Sequence, residues 1–287
     1  MRVLILAIGK SGTTPLLYKL GAARPELQLF SGGGLDRVTK IKGDAVFKFT
    51  LSENKGRSFE TFREHLSQTE YDRKIWIARD PRDNAVSRVL FRWYRGSKTD
   101  KDIYRTIIDM VGKKEQNPES VSVCELMRYR IRQLQPLTIS EVVETERRSF
   151  EQMHCFVDGL GDDWFIYKYE DLVNNNFTKL NEYLGFEVKA ETNIDKHAQK
   201  VARKKSTGDW RHWYTEEDVK LFRPAYTPYM DLIGYDSSDW TLHARQVIEP
   251  KHASLYLKGL PKRRRLDSME KFKKKFIRFF VKDTEHY

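Results

Sequence analysis

The run Val3-Leu4-Ile5-Leu6-Ala7-Ile8 passes directly into Gly9-Lys10-Ser11-Gly12-Thr13-Thr14, and apolar residues then recur at Leu16, Leu17 and Leu20. A short apolar run bounded by glycine reads as a buried strand, and the spacing after it reads as one face of a helix. A tight turn between the two points backbone N–H groups at one spot, and the helix dipole adds partial positive charge there. Lys10 adds a full charge, while Ser11, Thr13 and Thr14 add hydroxyl donors. Residues 9–14 therefore read as a phosphate cradle.

The cradle departs from the triphosphate pattern G-x-x-x-x-G-K-[ST], which needs a glycine where Leu4 stands and has no Gly-Thr-Thr after its Lys-Ser. Three further segments bear on its ligand. In the first, Ile75, Trp76, Ile77 and Ala78 form a short buried strand, Arg79-Asp80 ends it, and Pro81 suits the first position of a helix. Ser87 lies eight residues after Arg79, about two turns into that helix at 3.6 residues per turn. A guanidinium grips a phosphate with a planar fork, and a hydroxyl completes the grip. The second segment is Tyr169-Glu170-Asp171-Leu172, and the third is Arg203-Lys204-Lys205-Ser206-Thr207-Gly208-Asp209-Trp210-Arg211.

Taken in order over residues 9–215, these segments resemble those of sulfotransferases that use 3′-phosphoadenosine 5′-phosphosulfate (PAPS). The resemblance implies that Lys10, Ser11, Gly12, Thr13 and Thr14 hold the 5′-phosphosulfate, and that Arg79 and Ser87 hold the 3′-phosphate. It implies that Arg203 and Lys204 clamp the same phosphate from a loop closing over the nucleotide, although Lys205 replaces the family's glycine. Tyr169 matches a Y-E-D-L element ending a late strand. Lys48, in Ala45-Val46-Phe47-Lys48-Phe49-Thr50, matches a lysine near the sulfuryl group, so Lys10 and Lys48 are the expected catalytic cations. PAPS would be the co-substrate. No metal is expected, because a sulfuryl group carries less charge than a phosphoryl and no carboxylate cluster has metal-ligand spacing.

The general base departs from the family's patterns. Thr50 stands where cytosolic members have histidine, and Ser31-Gly32-Gly33-Gly34 stands where other branches have glutamate. Glu53 and Asp36 are the nearest carboxylates, with His65 more distant. Either carboxylate would need its pKa raised in a partly dry cleft.

Strands are expected at 2–8, 45–50, 74–79 and 164–169. Helices are expected at 13–21, 57–69, 81–94, 100–113, 120–135, 143–158, 175–184 and 215–222. The alternation gives an α/β fold with a P-loop-type parallel sheet flanked by helices, and ligands gather beyond the strands' carboxyl ends. Residues 100–158 form a helical cap, whose Arg128, Arg130, Arg132, Arg147 and Arg148 read as a solvated face with part of it toward an anionic acceptor. Cys124 and Cys155 read as isolated buried residues, with neither a disulfide framework nor a zinc site.

The 287 residues read as one domain over 1–257 and a distinct tail over 258–287. Residues 258–282 carry eleven basic side chains against two acidic ones, which supplies most of the chain's net charge of +11. Leu266, Met269, Phe272, Phe276, Phe279 and Phe280 recur there at three- and four-residue steps. A basic helix with an aromatic face suits an anionic membrane surface, with docking on the domain or nucleic-acid contact as the other uses. Only Arg2 precedes the first strand, too little for a signal peptide or a span, so the expected location is the cytoplasm, peripheral at the inner membrane face. The function read from the chain is sulfuryl transfer to a hydroxyl of a lipid, glycolipid or carbohydrate, with no nucleic-acid partner. The competing classes are an ATP- and Mg²⁺-dependent P-loop kinase and a non-catalytic nucleotide-binding membrane adaptor.

Overall fold

Five strands pair into one all-parallel sheet in the order β2-β3-β1-β4-β5. They are β1 (Arg2–Ile8), β2 (Gln28–Ser31), β3 (Ala45–Leu51), β4 (Arg73–Ala78) and β5 (Trp164–Lys168). The computed structural model describes residues 1–32, 34–51, 58–133, 135–189, 204 and 206–265. β1 is central: Arg2 to Ile8 run in register with Ala45 to Leu51 on one side, and Val3 to Leu6 with Arg73 to Trp76 on the other. Covered on both faces, such a strand must be apolar without alternation, and Val3 through Ala7 are fully buried.

The helices are α1 (Thr13–Ala23), α2 (Phe59–Gln68), α3 (Pro81–Phe91), α4 (Trp93–Thr99), α5 (Lys101–Gln116), α6 (Val123–Met127), α7 (Ile139–Asp158), α8 (Tyr169–Val173), α9 (Thr178–Leu184), α10 (Trp210–Trp213) and α11 (Glu216–Leu232). Side chains alternate across each strand, so the sheet makes two cores. Val3, Ile5, Ala7, Ile75 and Ile77 pack under α1 and α9 through Leu16, Leu17, Leu20, Leu180 and Leu184. Leu4, Leu6, Phe47, Phe49 and Trp76 face a larger core with Phe150, Met153 and Phe156 of α7 and Phe222, Tyr226 and Tyr229 of α11. The chain leaves β1 toward β2, then crosses back over β1 to β4 on the other side. The strand order therefore reverses between β1 and β4, and a crevice opens beyond their carboxyl ends, where open α/β sheets bind ligands.

Several elements differ from the sequence expectation. β2 was not foreseen, because four residues, three of them exposed, carry no usable period. The helix expected at 120–135 forms only at Val123–Met127, under a Ser122–Glu125 capping box. Beyond it the backbone is claimed by arginines: Arg92 Nη1 donates to the carbonyls of Met127 (3.2 Å) and Tyr129 (2.8 Å), and Arg128 Nε to that of Leu137 (2.6 Å). The helix expected to stop at 222 runs to Leu232 through Pro224 and Pro228. Burial of Phe222, Ala225, Tyr226, Tyr229 and Met230 along one face outweighs the lost backbone bonds. Cys124 is buried as expected, but Cys155 is exposed.

Residues 254–265 are helical. Tyr256, Leu257 and Leu260 enter the larger core, the Tyr104 hydroxyl donates to the Leu257 carbonyl, and the Ser254 amide donates to Glu115 Oε1 at 2.6 Å. The helix thus continues across residue 258 while packed on the domain, and residues 266–287 lie outside the described ones. No helix among the described residues is long and apolar enough to cross a membrane.

Candidate functional site

The turn after β1 is held in a conformation that few sequences tolerate. Lys10 and Gly12 both have left-handed backbones, at φ +70° and +87°. Gly12 is also the N-cap of α1 and has no side chain to cap it, which leaves the first helical amides for another acceptor. A Cβ at Gly12 would lie 2.6 Å from the Tyr169 ring. The strained Lys10 is fixed from the neighbouring connection: Arg79 Nη1 donates to its carbonyl at 2.7 Å. Asn84 Nδ2 donates to the Gly9 carbonyl at 2.9 Å and reaches Ser11 Oγ at 3.3 Å.

Lys48 projects from β3 into the same place. Its Nζ donates to Thr14 Oγ1 at 2.9 Å and to Ser31 Oγ at 3.1 Å, joining the ends of β2 and β3 to the first turn of α1. Thr50 flanks the turn, with its methyl 3.9 Å from where a Gly9 Cβ would stand. Lys10 Nζ lies 4.0 Å from the centroid of the Phe91 ring, at the end of α3.

Arg79 is buried at the carboxyl end of β4, with its guanidinium carbon 4.2 Å from the Tyr169 ring centroid and its Nε buried without a hydrogen-bond partner among the described residues. Asp80 does not neutralise it. That carboxylate caps α3 through the Arg82 amide (2.9 Å) and pairs with the Arg82 guanidinium (2.8 Å), which lies against Trp210 and Trp240. Ser87 is buried on α3. The 204–210 segment is moored to the start of the same helix by Asp83, which accepts from Gly208 N at 2.6 Å and Trp210 N at 2.9 Å. Burial, with Asp80 beside it, pushes the Asp83 carboxyl up to about 7. Lys204 Nζ pairs with Asp209 at 3.0 Å, while Arg203 and Lys205 lie outside the described residues.

Most of the expected residues thus meet around one crevice: Lys10, Ser11, Gly12, Thr14, Lys48, Arg79 and Tyr169 are joined by direct contacts. Of the expected bases, only Asp36 and His65 fall among the described residues, and neither has a contact with this group there. Glu53 lies outside the described residues. Asp36 keeps 70% of its side chain exposed and pairs with Lys40 at 3.8 Å. His65 is a correction: it packs against Phe62 and Tyr71, with Nε2 2.7 Å from the Tyr71 hydroxyl, and the Arg2 charge at the opposite end of β1 acts on it. Burial, then Arg2, lowers its pKa. Among the described residues no group of three or more His, Cys, Asp or Glu could hold a metal ion.

Sequence reasoning missed Asn84, Asp83 and Phe91. Asn84 and Asp83 lie in the first turn of α3 beside the predicted Arg79-Asp80-Pro81, so helix period alone could have raised them. No local signal identifies Phe91.

No protein-family model and no curated protein matches the chain. Among the solved structures similar to it in shape are two sulfotransferases. A sulfotransferase from Alicyclobacillus acidocaldarius is 14% identical over 82% of this chain and 96% of its own, with a TM-score of 0.44. The sulfotransferase domain from the curacin biosynthetic pathway is 13% identical over 65% of this chain and 74% of its own, with a TM-score of 0.32. Likeness of this size assigns neither activity nor substrate.

Proposed function

We propose that the chain moves a sulfuryl group from PAPS to an acceptor hydroxyl, with a lipid, glycolipid or carbohydrate as acceptor. The observation that carries this reading is the buried Arg79, joined to the Lys10 carbonyl and left with an unpartnered Nε at the β1–β4 crevice. The guanidinium is buried with only part of its donors met, and the Asp83 carboxyl that also acts on it is itself raised to about 7, so an added anion is favoured there. The 3′-phosphate of a nucleotide would supply one, and ATP carries no phosphate at that position. Arg79 and Ser87, with Arg203 and Lys204 from the segment moored on Asp83, would hold that phosphate. The amides and hydroxyls of residues 11–14 would hold the 5′ group.

In the transfer, a bond forms between the acceptor oxygen and sulfur. The bond from sulfur to the bridging oxygen breaks, and that oxygen keeps the electron pair. Lys10 and Lys48 would stabilise the charge growing there; what supports this is that Lys48 is held by Thr14 and Ser31, and Lys10 lies against Phe91. Fixed donors of this kind are worth roughly 10²–10³ in rate each. The acceptor proton passes to a base, for which Glu53 and Asp36 are the proposed candidates. The tail from 258 onward is proposed to hold the enzyme at an anionic membrane surface.

Calorimetric titration with 3′,5′-diphosphoadenosine, 5′-AMP and ATP tests the donor site in wild type and Arg79→Ala. The bisphosphate should bind at least a hundredfold more tightly than the other two, and the variant should lose that preference. Equal or tighter binding of ATP, with Mg²⁺-dependent turnover, would overturn the reading in favour of a kinase.

A further inference from the structure

Beside the crevice, α3, α4 and the arginine-held segment after α6 gather more positive charge than the fold uses. Arg88 and Arg92 stand one helical turn apart and flank Phe91, the ring against which Lys10 Nζ rests. Arg88 forms a two-pronged pair with Glu146 (3.1 and 2.5 Å), which also accepts from the Tyr226 hydroxyl at 2.8 Å. Arg92 and Arg130 have no carboxylate of their own in this group. Glu141, whose charge acts on Arg130, is engaged in its own helix cap at Thr138. Burial, then the charges of Arg88 and Arg130, pushes the Arg92 guanidinium down to about 10.

Arg92 Nη1 is engaged by the Met127 and Tyr129 carbonyls, but part of the donor capacity is unused. Arg88 Nε, Arg130 Nε and the Tyr214 hydroxyl are buried with no hydrogen-bond partner among the described residues. Each such group costs free energy comparable to a lost hydrogen bond, and native structures rarely keep several together without a ligand. The cluster is also reachable, since the Arg88 side chain keeps 25% of its surface accessible despite its pairing. An excess of guanidinium groups beside the ring on which Lys10 rests suits a planar or tetrahedral oxyanion.

Resting on the sulfuryl-transfer reading, we propose that the acceptor is an alcohol that carries an oxyanion, and that Arg88, Arg92 and Arg130 receive this group while the hydroxyl faces Lys10. Glu146 holds Arg88 in place, and Arg92 and Arg130 supply the charge in excess of that pair.

The test is calorimetric titration of glycerol 3-phosphate and of glycerol into protein saturated with 3′,5′-diphosphoadenosine, using wild type, Arg130→Gln and Arg92→Lys. The phosphate ester should bind and glycerol should not. Arg130→Gln should weaken the ester at least tenfold while leaving the nucleotide affinity unchanged, and Arg92→Lys, which keeps the charge, should fall between. Vesicles of phosphatidylglycerol, assayed beside the soluble ester, separate a lipid phosphate from a free one by which shows the Arg130 dependence. Binding of the ester only without nucleotide, or binding of both probes untouched by Arg130→Gln, would overturn the proposal. If the nucleotide itself fails to bind, the donor reading falls, and an Arg130-dependent phosphate site would remain without an acceptor role.

Discussion

Gly12 combines two constraints at one position: a left-handed backbone at φ +87° and a neighbour, the Tyr169 ring, where any Cβ would go. A non-glycine residue in that conformation costs about 1–2 kcal/mol, and overpacking adds about 1–3 kcal/mol more. Gly12→Ala should therefore lower the thermal midpoint by several degrees and weaken 3′,5′-diphosphoadenosine, both readable in one melting series with and without nucleotide. An unchanged midpoint would mean that Tyr169 yields freely. Lys48 makes a kinetic prediction instead. Because it meets Thr14 and Ser31 rather than the core, Lys48→Ala should leave nucleotide affinity within a few-fold and lower kcat by about a hundredfold. A loss confined to KM would show that Lys48 binds substrate without aiding the transfer.

At the scale of elements, α3 is the organising helix. Its first turn holds Asp83 and Asn84, which bond Gly208 and Gly9, and its last turn presents Phe91 and, just beyond, Arg92. It is tied to α7 and α11 through Arg88, Glu146 and Tyr226. Removing one partner of a buried pair leaves the other charge uncompensated, so Glu146→Ala should cost about 3–5 kcal/mol in denaturant unfolding, near the lower figure because Arg88 is partly accessible. Tyr226→Phe should cost about 1 kcal/mol, the worth of one hydrogen bond. Comparable small losses for both would show that the pair contributes little.

Across the whole molecule, one acidic side chain joins the start of α3 to residues 208–210. With its carboxyl raised to about 7 against an ordinary value of 3.8, Asp83 keeps its proton in the folded state where the unfolded chain has lost it. The folded state then binds more protons between these two values, so stability falls as pH rises from about 4 to about 7. Asp83→Asn should flatten that part of the unfolding free-energy profile, measured by chemical denaturation at each pH. A slope identical in both proteins would assign the titration elsewhere.

Much of the geometry around the β1–β4 crevice was legible in the chain because its signals are local. The strand at 2–8, the Gly-Lys-Ser-Gly-Thr-Thr turn and the Arg79-Asp80-Pro81 strand end each announce themselves within a dozen residues, through apolar runs, glycine and proline. Lys48 could be placed at a strand end by the same logic. The helical cap was less legible. Pro224 and Pro228 argue locally for a break that burial on α7 overrides, and the 128–138 backbone is claimed by arginines from elsewhere rather than by its own helix.

The sequence by itself determined the parallel α/β sheet and the cations at its carboxyl ends, because strand period, turn chemistry and helix caps act between near neighbours. Only the tertiary structure decided which of them meet: that Arg79 grips the Lys10 carbonyl, that Asp83 moors a segment some 125 residues away, and that Arg88 has a hydrogen-bonded carboxylate partner in Glu146. Those outcomes turn on burial and on competition for partners across the fold, and both are set by packing.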